Sequence, residues 1–171
     1  ALVNPLAMAY LEPPGRWGEN EEGVDIVCGE AQSLGVPLSF GGPYLGFLAC
    51  KKKHVRQIPG RIVGKSKDRH HNTAYCLTLQ AREQHIRRGK ATSNICTNQG
   101  LLVCAASMYM RLYGTAKMRQ AILNAHHKAQ MLMASLGDIK GIKVLSKGPV
   151  LYEWLIQVPS DAQSCIDTLA K

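Results

Sequence analysis

Residues 77–99, Leu-Thr-Leu-Gln-Ala-Arg-Glu-Gln-His-Ile-Arg-Arg-Gly-Lys-Ala-Thr-Ser-Asn-Ile-Cys-Thr-Asn-Gln, most restrict the folds open to this chain. Gln80, Arg82, Gln84, His85, Arg87, Arg88, Lys90 and the hydroxyls and amides after them carry more hydrogen-bond donors than a core element satisfies internally. The run therefore belongs on a surface that meets something. Directly after it, residues 100–113 are apolar with few breaks, which predicts a helix. Thr92-Ser93-Asn94 and Thr97-Asn98 ahead of it are residue types that cap helix N-termini. Such a start, with Arg87, Arg88 and Lys90 upstream, suits an anion, because free N–H groups, the helix dipole and the cations all favour negative charge there. An ordinary capped helix with a solvated basic approach satisfies the same pattern.

Charge points the same way. Residues 51–90 hold 12 Lys and Arg against only Asp68 and Glu83, a local excess that accounts for the net +9 of the whole chain. An anionic partner is the natural inference. With 171 residues and 46% hydrophobic content the chain has material for one sizeable core, and nothing marks it as disordered. The six cysteines lack C-x-x-C spacing and lie mostly in apolar stretches, so they are expected as buried free thiols of a reducing cytoplasm. No apolar run reaches the roughly 18 residues of a membrane span, and no signal peptide is visible. Both ends of the sequence look cut, which predicts a piece of a longer chain.

Read in order, residues 1–3 suggest the end of a buried strand, and residues 5–11 a short helical turn before Pro13-Pro14-Gly15. Residues 24–28, Val-Asp-Ile-Val-Cys, predict a short buried strand of the kind found inside parallel sheets. Residues 29–46 follow, with five glycines and two prolines in eighteen residues, a density that means tight turns and close backbone approach. A second buried strand is predicted over 44–50, and Lys51-Lys52-Lys53 after it should be solvated. Residues 65–73 are expected as a loop. In the last third, residues 101–113 and 116–136 predict two helices parted by Gly114-Thr115, with Met108, Met110, Met118, Met131 and Met133 filling core gaps. Strands are expected over 142–145 and 150–158, and a helix from Pro159-Ser160-Asp161.

Four stretches together resemble one family. They are Gly29-Glu30-Ala31-Gln32-Ser33-Leu34-Gly35; Pro37-Leu38-Ser39-Phe40-Gly41-Gly42-Pro43-Tyr44-Leu45-Gly46; Pro59-Gly60-Arg61-Ile62-Val63-Gly64; and residues 77–99. They are similar to the P-protein of the glycine cleavage system, glycine dehydrogenase (decarboxylating), in its first subunit or N-terminal half. The resemblance implies an α/β chain of the pyridoxal-phosphate-dependent transferase fold type I, aspartate aminotransferase-like. It also implies three segments: residues 1–88 as the last part of the large domain, 89–113 as the connecting helix region, and 114–171 as part of the small α/β domain.

In lysine-bearing members of the fold, the lysine that holds the cofactor covalently stands where this chain has Gln32. An Asp that pairs with the pyridine nitrogen stands where this chain has Asn4. An amide forms no covalent link to the cofactor, and neutral Asn4 is a poor partner for a protonated ring nitrogen. The resemblance thus implies no catalytic residue in this chain and no pyridoxal phosphate bound covalently to it. Its role would be to complete the site of a lysine-bearing second subunit, in a two-plus-two tetramer, with Thr92 and Ser93 reaching the partner's cofactor phosphate and Asn94 beside them. Arg82, His85, Arg87 and Arg88 are candidates for interface pairs, for substrate, or for the acidic lipoyl carrier, the H-protein. The whole enzyme would decarboxylate glycine and pass the aminomethyl group to that carrier's lipoyl arm.

Gly89 departs from the family, which usually has Glu there, and residues 65–73 are more basic than usual. Adjacent His70 and His71 point apart and have no third ligand nearby, so no metal is expected. Two other readings stay open: a catalytically silent structural subunit, and a basic nucleic-acid-binding domain. Against the latter, the basic segment lacks basic-aromatic interleaving. Neither nucleic acid nor membrane is therefore expected as a partner.

Overall fold

The computed structural model describes residues 1–92 and 99–171, and the described chain forms two compact units, Ala1–Leu112 and Tyr113–Lys171. In the first unit, β1 (Ile26–Glu30) pairs antiparallel with β2 (Gly46–Cys50), Cys28 opposite Leu48. Residues 1–3 run parallel along the other edge of β1, with Leu2 bridged to Cys28 and the Val3 N–H donating to the Cys28 carbonyl at 3.0 Å. Gly29 permits this approach, since a Cβ there would sit 2.0 Å from the Val3 carbonyl oxygen. The expected parallel-sheet strand is therefore corrected: β1 starts later, takes Gly29 and Glu30 with it, and has one parallel and one antiparallel neighbour. It is also only half-buried.

A tight turn follows β1. Leu34 N–H donates to Ala31 at 3.0 Å and Val36 N–H to Gln32 at 3.0 Å, which turns Ala31, Leu34 and Val36 into the core with Val3, Ala7 and Leu45. Gly35 has φ +82°, and a Cβ there would lie 2.6 Å from the Tyr109 ring, so only glycine fits the turn against the helix above it. That helix is α2, Gly100–Gly137, whose Ala106 is buried in this unit. It leaves helical geometry at Gly114 (φ 68°, ψ 167°), where the Gly-Thr interruption was expected.

β3 (Ile62–Lys67) and β4 (Thr73–Thr78) form a separate antiparallel hairpin, Ile62 opposite Thr78 and Lys67 opposite Thr73. The loop expected over 65–73 is thus confined to a short tip, closed by the Asp68 N–H donating to the Asn72 carbonyl at 3.0 Å. Residues 80–90 fold as two 3-10 turns around α1, Gln84–Arg87.

In the second unit, Ile122 and Ala129 of α2 are the buried residues. β5 (Lys143–Val144) and β6 (Ile156–Gln157) pair antiparallel. The strand expected over 150–158 shortens to β6 because the carbonyls before it are used otherwise. His126 Nδ1 donates to the Leu151 carbonyl at 2.6 Å, and Gln130 Nε2 to the Val150 carbonyl at 3.2 Å. α3 (Ala162–Leu169) begins as expected, with Asp161 Oδ2 accepting the Ser164 N–H at 2.9 Å.

Two burial expectations are corrected. Met108, Met110 and Met131 are exposed, so of the five methionines only Met118 and Met133 are partly covered. Cys76 and Cys104 are exposed, and Cys28, Cys50 and Cys165 are half-buried; these five are free thiols, and Cys96 lies outside the described residues.

Candidate functional site

The turn after β1 and the strand residues beside it make a cleft of about 330 Å³, lined by Asn4, Glu30, Gln32, Ser33, Val36 and Leu38. Asn4 and Gln32, far apart in sequence, thereby share one cavity. The parallel run of residues 1–3 delivers Asn4, and the end of β1 delivers Gln32.

The polar groups of this cleft are turned on one another. Asn4 Oδ1 accepts the Leu6 N–H at 3.0 Å and the Ser33 hydroxyl at 2.9 Å. Glu30 Oε1 accepts two backbone donors, Gln32 N–H at 3.0 Å and Leu45 N–H at 2.7 Å. With the Ala31 N–H donating to Leu45 O at 2.7 Å, that carboxylate ties the turn to the start of β2. Gln32 Nε2 donates to the Pro37 carbonyl at 3.3 Å. Among the described residues no amine lines the cleft.

Pyridoxal phosphate of the covalent kind does not fit this donor set. It needs a primary amine and, at its ring nitrogen, a carboxylate. The cleft offers two amides and a hydroxyl, and its one carboxylate is held by backbone donors.

The lysines after β2 serve other ends. Lys51 Nζ donates to the Gly23 carbonyl at 3.0 Å. Lys53 Nζ lies 2.7 Å from Asp25 Oδ1, with Lys51 and His54 farther out at 3.5 and 3.7 Å. The Lys53 ammonium bonded to Asp25 holds that carboxyl below the usual carboxylate range. Lys52 and Lys53 are exposed as expected, whereas Lys51 is half-buried and tied to Gly23 and Asp25, which corrects the solvated role expected of it.

The second site region is residues 80–92. Arg82 is turned into its own chain: Nη1 donates to the Ile58 carbonyl and Nη2 to the Gly60 carbonyl at 2.6 Å, with Glu83 Oε1 at 3.7 Å from Nη2. Its side chain is only 10% exposed, and its Nε is buried without a hydrogen-bond partner. The neighbouring candidates face outward. His85 Nε2 lies 3.2 Å from Gln80 Oε1, and Arg87 Nε donates to the Ala81 carbonyl at 3.1 Å. Arg88 is exposed and has φ 52°, ψ −125°, a conformation sparsely populated by residues other than glycine. Gly89 beside it and Lys90 are exposed too.

Thr92 is exposed, and its N–H donates to the Arg82 carbonyl at 3.1 Å. Arg82 therefore fixes both the loop before β3 and the place where Thr92 leaves this segment. The reading of Thr92 as a cap of the long helix is corrected, since that helix begins at Gly100. Ser93 and Asn94 lie outside the described residues. Among the described residues no cluster of His, Cys, Asp and Glu has the makings of a metal site, and His70 is occupied by Arg69 Nε at 3.0 Å. The signal missed in the sequence is Glu30, a strand-end acid followed by a glycine-rich turn that needs an acceptor for its N–H groups.

Comparison with known proteins gives this arrangement a context. The family model described as "Glycine cleavage system P-protein" matches residues 1–171. The "Probable glycine dehydrogenase (decarboxylating) subunit 1" of Coxiella burnetii is 50% identical over 171 residues, covering 100% of this chain and 38% of that protein. The protein of the same name from Legionella pneumophila is 52% identical over 170 residues, 99% of this chain and 37% of its own length. The chain thus spans a little over a third of the curated relatives it matches. Among solved structures, a glycine decarboxylase (P-protein) of the glycine cleavage system in inhibitor-bound form superposes with a TM-score of 0.88 at 40% identity, over 99% of this chain and 38% of that one. The fold is accordingly part of the pyridoxal-phosphate fold type I. With a match along its whole length and half its residues shared with these relatives, the chain belongs to the glycine cleavage system P-protein family.

Proposed function

We propose that this chain is part of the first subunit of a two-subunit glycine dehydrogenase (decarboxylating), and that it carries no covalent cofactor itself. The observation that supports this most is the cleft in which Asn4 and Gln32 meet with no amine among the described residues, the Asn4 oxygen and the Gln32 amide nitrogen engaged with their own turn. When bound to a lysine amine, pyridoxal phosphate supplies the electron sink that glycine decarboxylation requires. That amine belongs to the second subunit, which the relatives' name, subunit 1, implies.

This chain's own contribution is to position. The Arg82 anchor holds Thr92 at the end of an exposed basic segment, and Thr92 with Ser93 and Asn94 completes the partner's phosphate site. His85, Arg87 and Arg88 supply the surrounding positive field. The aminomethyl group passes to the lipoyl arm of the H-protein. We place the assembly, two copies of each subunit, in the cytoplasm, where free thiols are at home.

The experiment is a Thr92→Ala/Ser93→Ala double variant of the full-length chain, assembled with its second subunit and titrated with pyridoxal phosphate. Loss of two hydroxyl contacts to a phosphate should weaken cofactor affinity about tenfold or more. Unchanged affinity would contradict the cross-interface role.

A further inference from the structure

Of the basic residues over 80–92, one is held against its own backbone preference. Arg88 has φ 52° and ψ −125°. Leu79 also has a positive φ, but at φ 53°, ψ 32° it lies in the ordinary left-handed well. The Arg88 angles fall outside that well, near the first central position of a type II′ turn, where glycine dominates. Gly89 follows directly, with φ outside the left-handed region and nothing within 4 Å of where a Cβ would stand. The segment thus carries its glycine one position away from the place that favours one, and an arginine in that place.

Hydrogen bonds on both sides keep it there. The Arg88 N–H donates to the Gln84 carbonyl at the end of α1, and the Arg88 carbonyl accepts the Ala91 N–H at 3.1 Å. The Thr92 N–H on the Arg82 carbonyl closes the neck of the loop that contains them. Arg82, His85 and Arg87 have partners within the chain. The exposed Arg88 guanidinium has no hydrogen bond or ion pair among the described residues.

Strain of this kind persists only where the surroundings over-determine a conformation, and it gathers where a side chain must be placed. A solvent-exposed ion pair contributes less than such strain costs. A planar guanidinium fork on a desolvated oxyanion contributes more.

We propose that Arg88 contacts an oxyanion of the assembled site, either the carboxylate of glycine or the phosphate of the cofactor. This rests on the reaction proposed above, and assigns to one residue what was there a shared positive field.

The test uses the full-length chain assembled with its second subunit, comparing wild type with Arg88→Gly/Gly89→Arg and with Arg88→Lys. The exchanged pair keeps composition and net charge, puts glycine at the strained position and moves the guanidinium by one residue. Arg88→Lys keeps charge and strain but loses the fork. Three quantities are read: hydrogen exchange of the amides over 84–92, corrected for intrinsic rates; pyridoxal phosphate affinity, by titration without glycine; and KM and kcat for glycine. In the exchanged pair the amides should exchange about fivefold more slowly or slower still, because the strain is relieved. Affinity for one oxyanion should nevertheless fall about tenfold or more. Weaker pyridoxal phosphate binding assigns the contact to the phosphate. Unchanged cofactor binding with a raised KM for glycine assigns it to the carboxylate. Arg88→Lys should weaken the same oxyanion with exchange unaltered.

Exchange as fast as wild type in the exchanged pair would overturn the proposal by removing the strain. Slower exchange with cofactor affinity and KM within about twofold of wild type would overturn it by showing that the strain serves no oxyanion. A changed oligomeric state would overturn it too, giving Arg88 to an interface pair. In all three cases an active wild type leaves the proposed reaction standing. A wild-type assembly that binds pyridoxal phosphate but does not turn over glycine fails that reaction; weaker cofactor binding in the exchanged pair then still supports the contact, and equal binding overturns it.

Discussion

The cleft after β1 and the segment over 80–92 carry the same family resemblance, yet they spend their polar groups in opposite ways. In the cleft, Asn4, Glu30, Gln32 and Ser33 bond to their own turn and strand ends. In the segment, Arg82 and the Glu83 beside it are committed inward, while His85, Arg87, Arg88 and Lys90 stay exposed. A closed hydrogen-bond circuit with no amine keeps a shape. An inward anchor beneath a row of exposed cations presents a surface. The difference teaches that two polar stretches of one unit can spend their hydrogen bonds in opposite ways, one inward on its own shape and one outward as exposed charge.

The contrast is most easily broken at Arg82. Arg82→Ala removes charged donors from two loop carbonyls and should destabilise the full-length protein by about 3 kcal/mol, read as a lower denaturation midpoint. Arg82→Lys should recover little, since an ammonium cannot span both carbonyls as a planar fork does. If Arg82→Ala instead leaves stability intact and weakens carrier or cofactor binding, the inward anchor is wrong.

Glu30 sharpens the other side. Glu30→Ala orphans the Gln32 and Leu45 N–H groups and should cost about 2 kcal/mol, whereas Glu30→Gln keeps an acceptor and should lose less than half of that. Equal losses in the two would mean that charge, not acceptor geometry, holds the turn.

The smallest effect lies at the hairpin tip. The Asn72 backbone N–H bonded to Asp68, helped by that of His70, holds this carboxyl below its ordinary value. A group with a lowered folded pKa stabilises above its unfolded pKa, about 3.9, and loses that contribution as pH falls through the folded value. Hydrogen exchange of the β3–β4 amides should therefore be flat from pH 7 to 5, once corrected for intrinsic rates, and should lose protection below pH 4. Asp68→Asn should remove that acid-dependent step.

The sequence announced what local chemistry dictates. The Gly114 break, the Asp161 cap and the end of β2 at Cys50 follow from residue types that act over a few positions. It also put Asn4 and Gln32 under suspicion, through the resemblance, before the cleft joined them. The β3–β4 hairpin was not legible because alternation signals a strand only when one face is buried. Here Val63, Lys65 and Lys67 share one open face, and Gly64 and Ser66 lie on the other. β6 came out short for a tertiary reason, since His126 and Gln130 take carbonyls that a longer strand would have used. The inward turn of Arg82 depended on carbonyls more than twenty residues upstream, which no spacing rule reports.

The central claim is that this chain supplies positioning and its partner supplies the amine. Borohydride reduction of the assembled, cofactor-loaded enzyme, followed by peptide mapping of both subunits, tests it most directly. The account predicts the pyridoxyl mark on a lysine of the partner subunit and none on this chain. A mark on this chain, on Lys51, Lys52, Lys53, Lys90 or any other of its lysines, would contradict it.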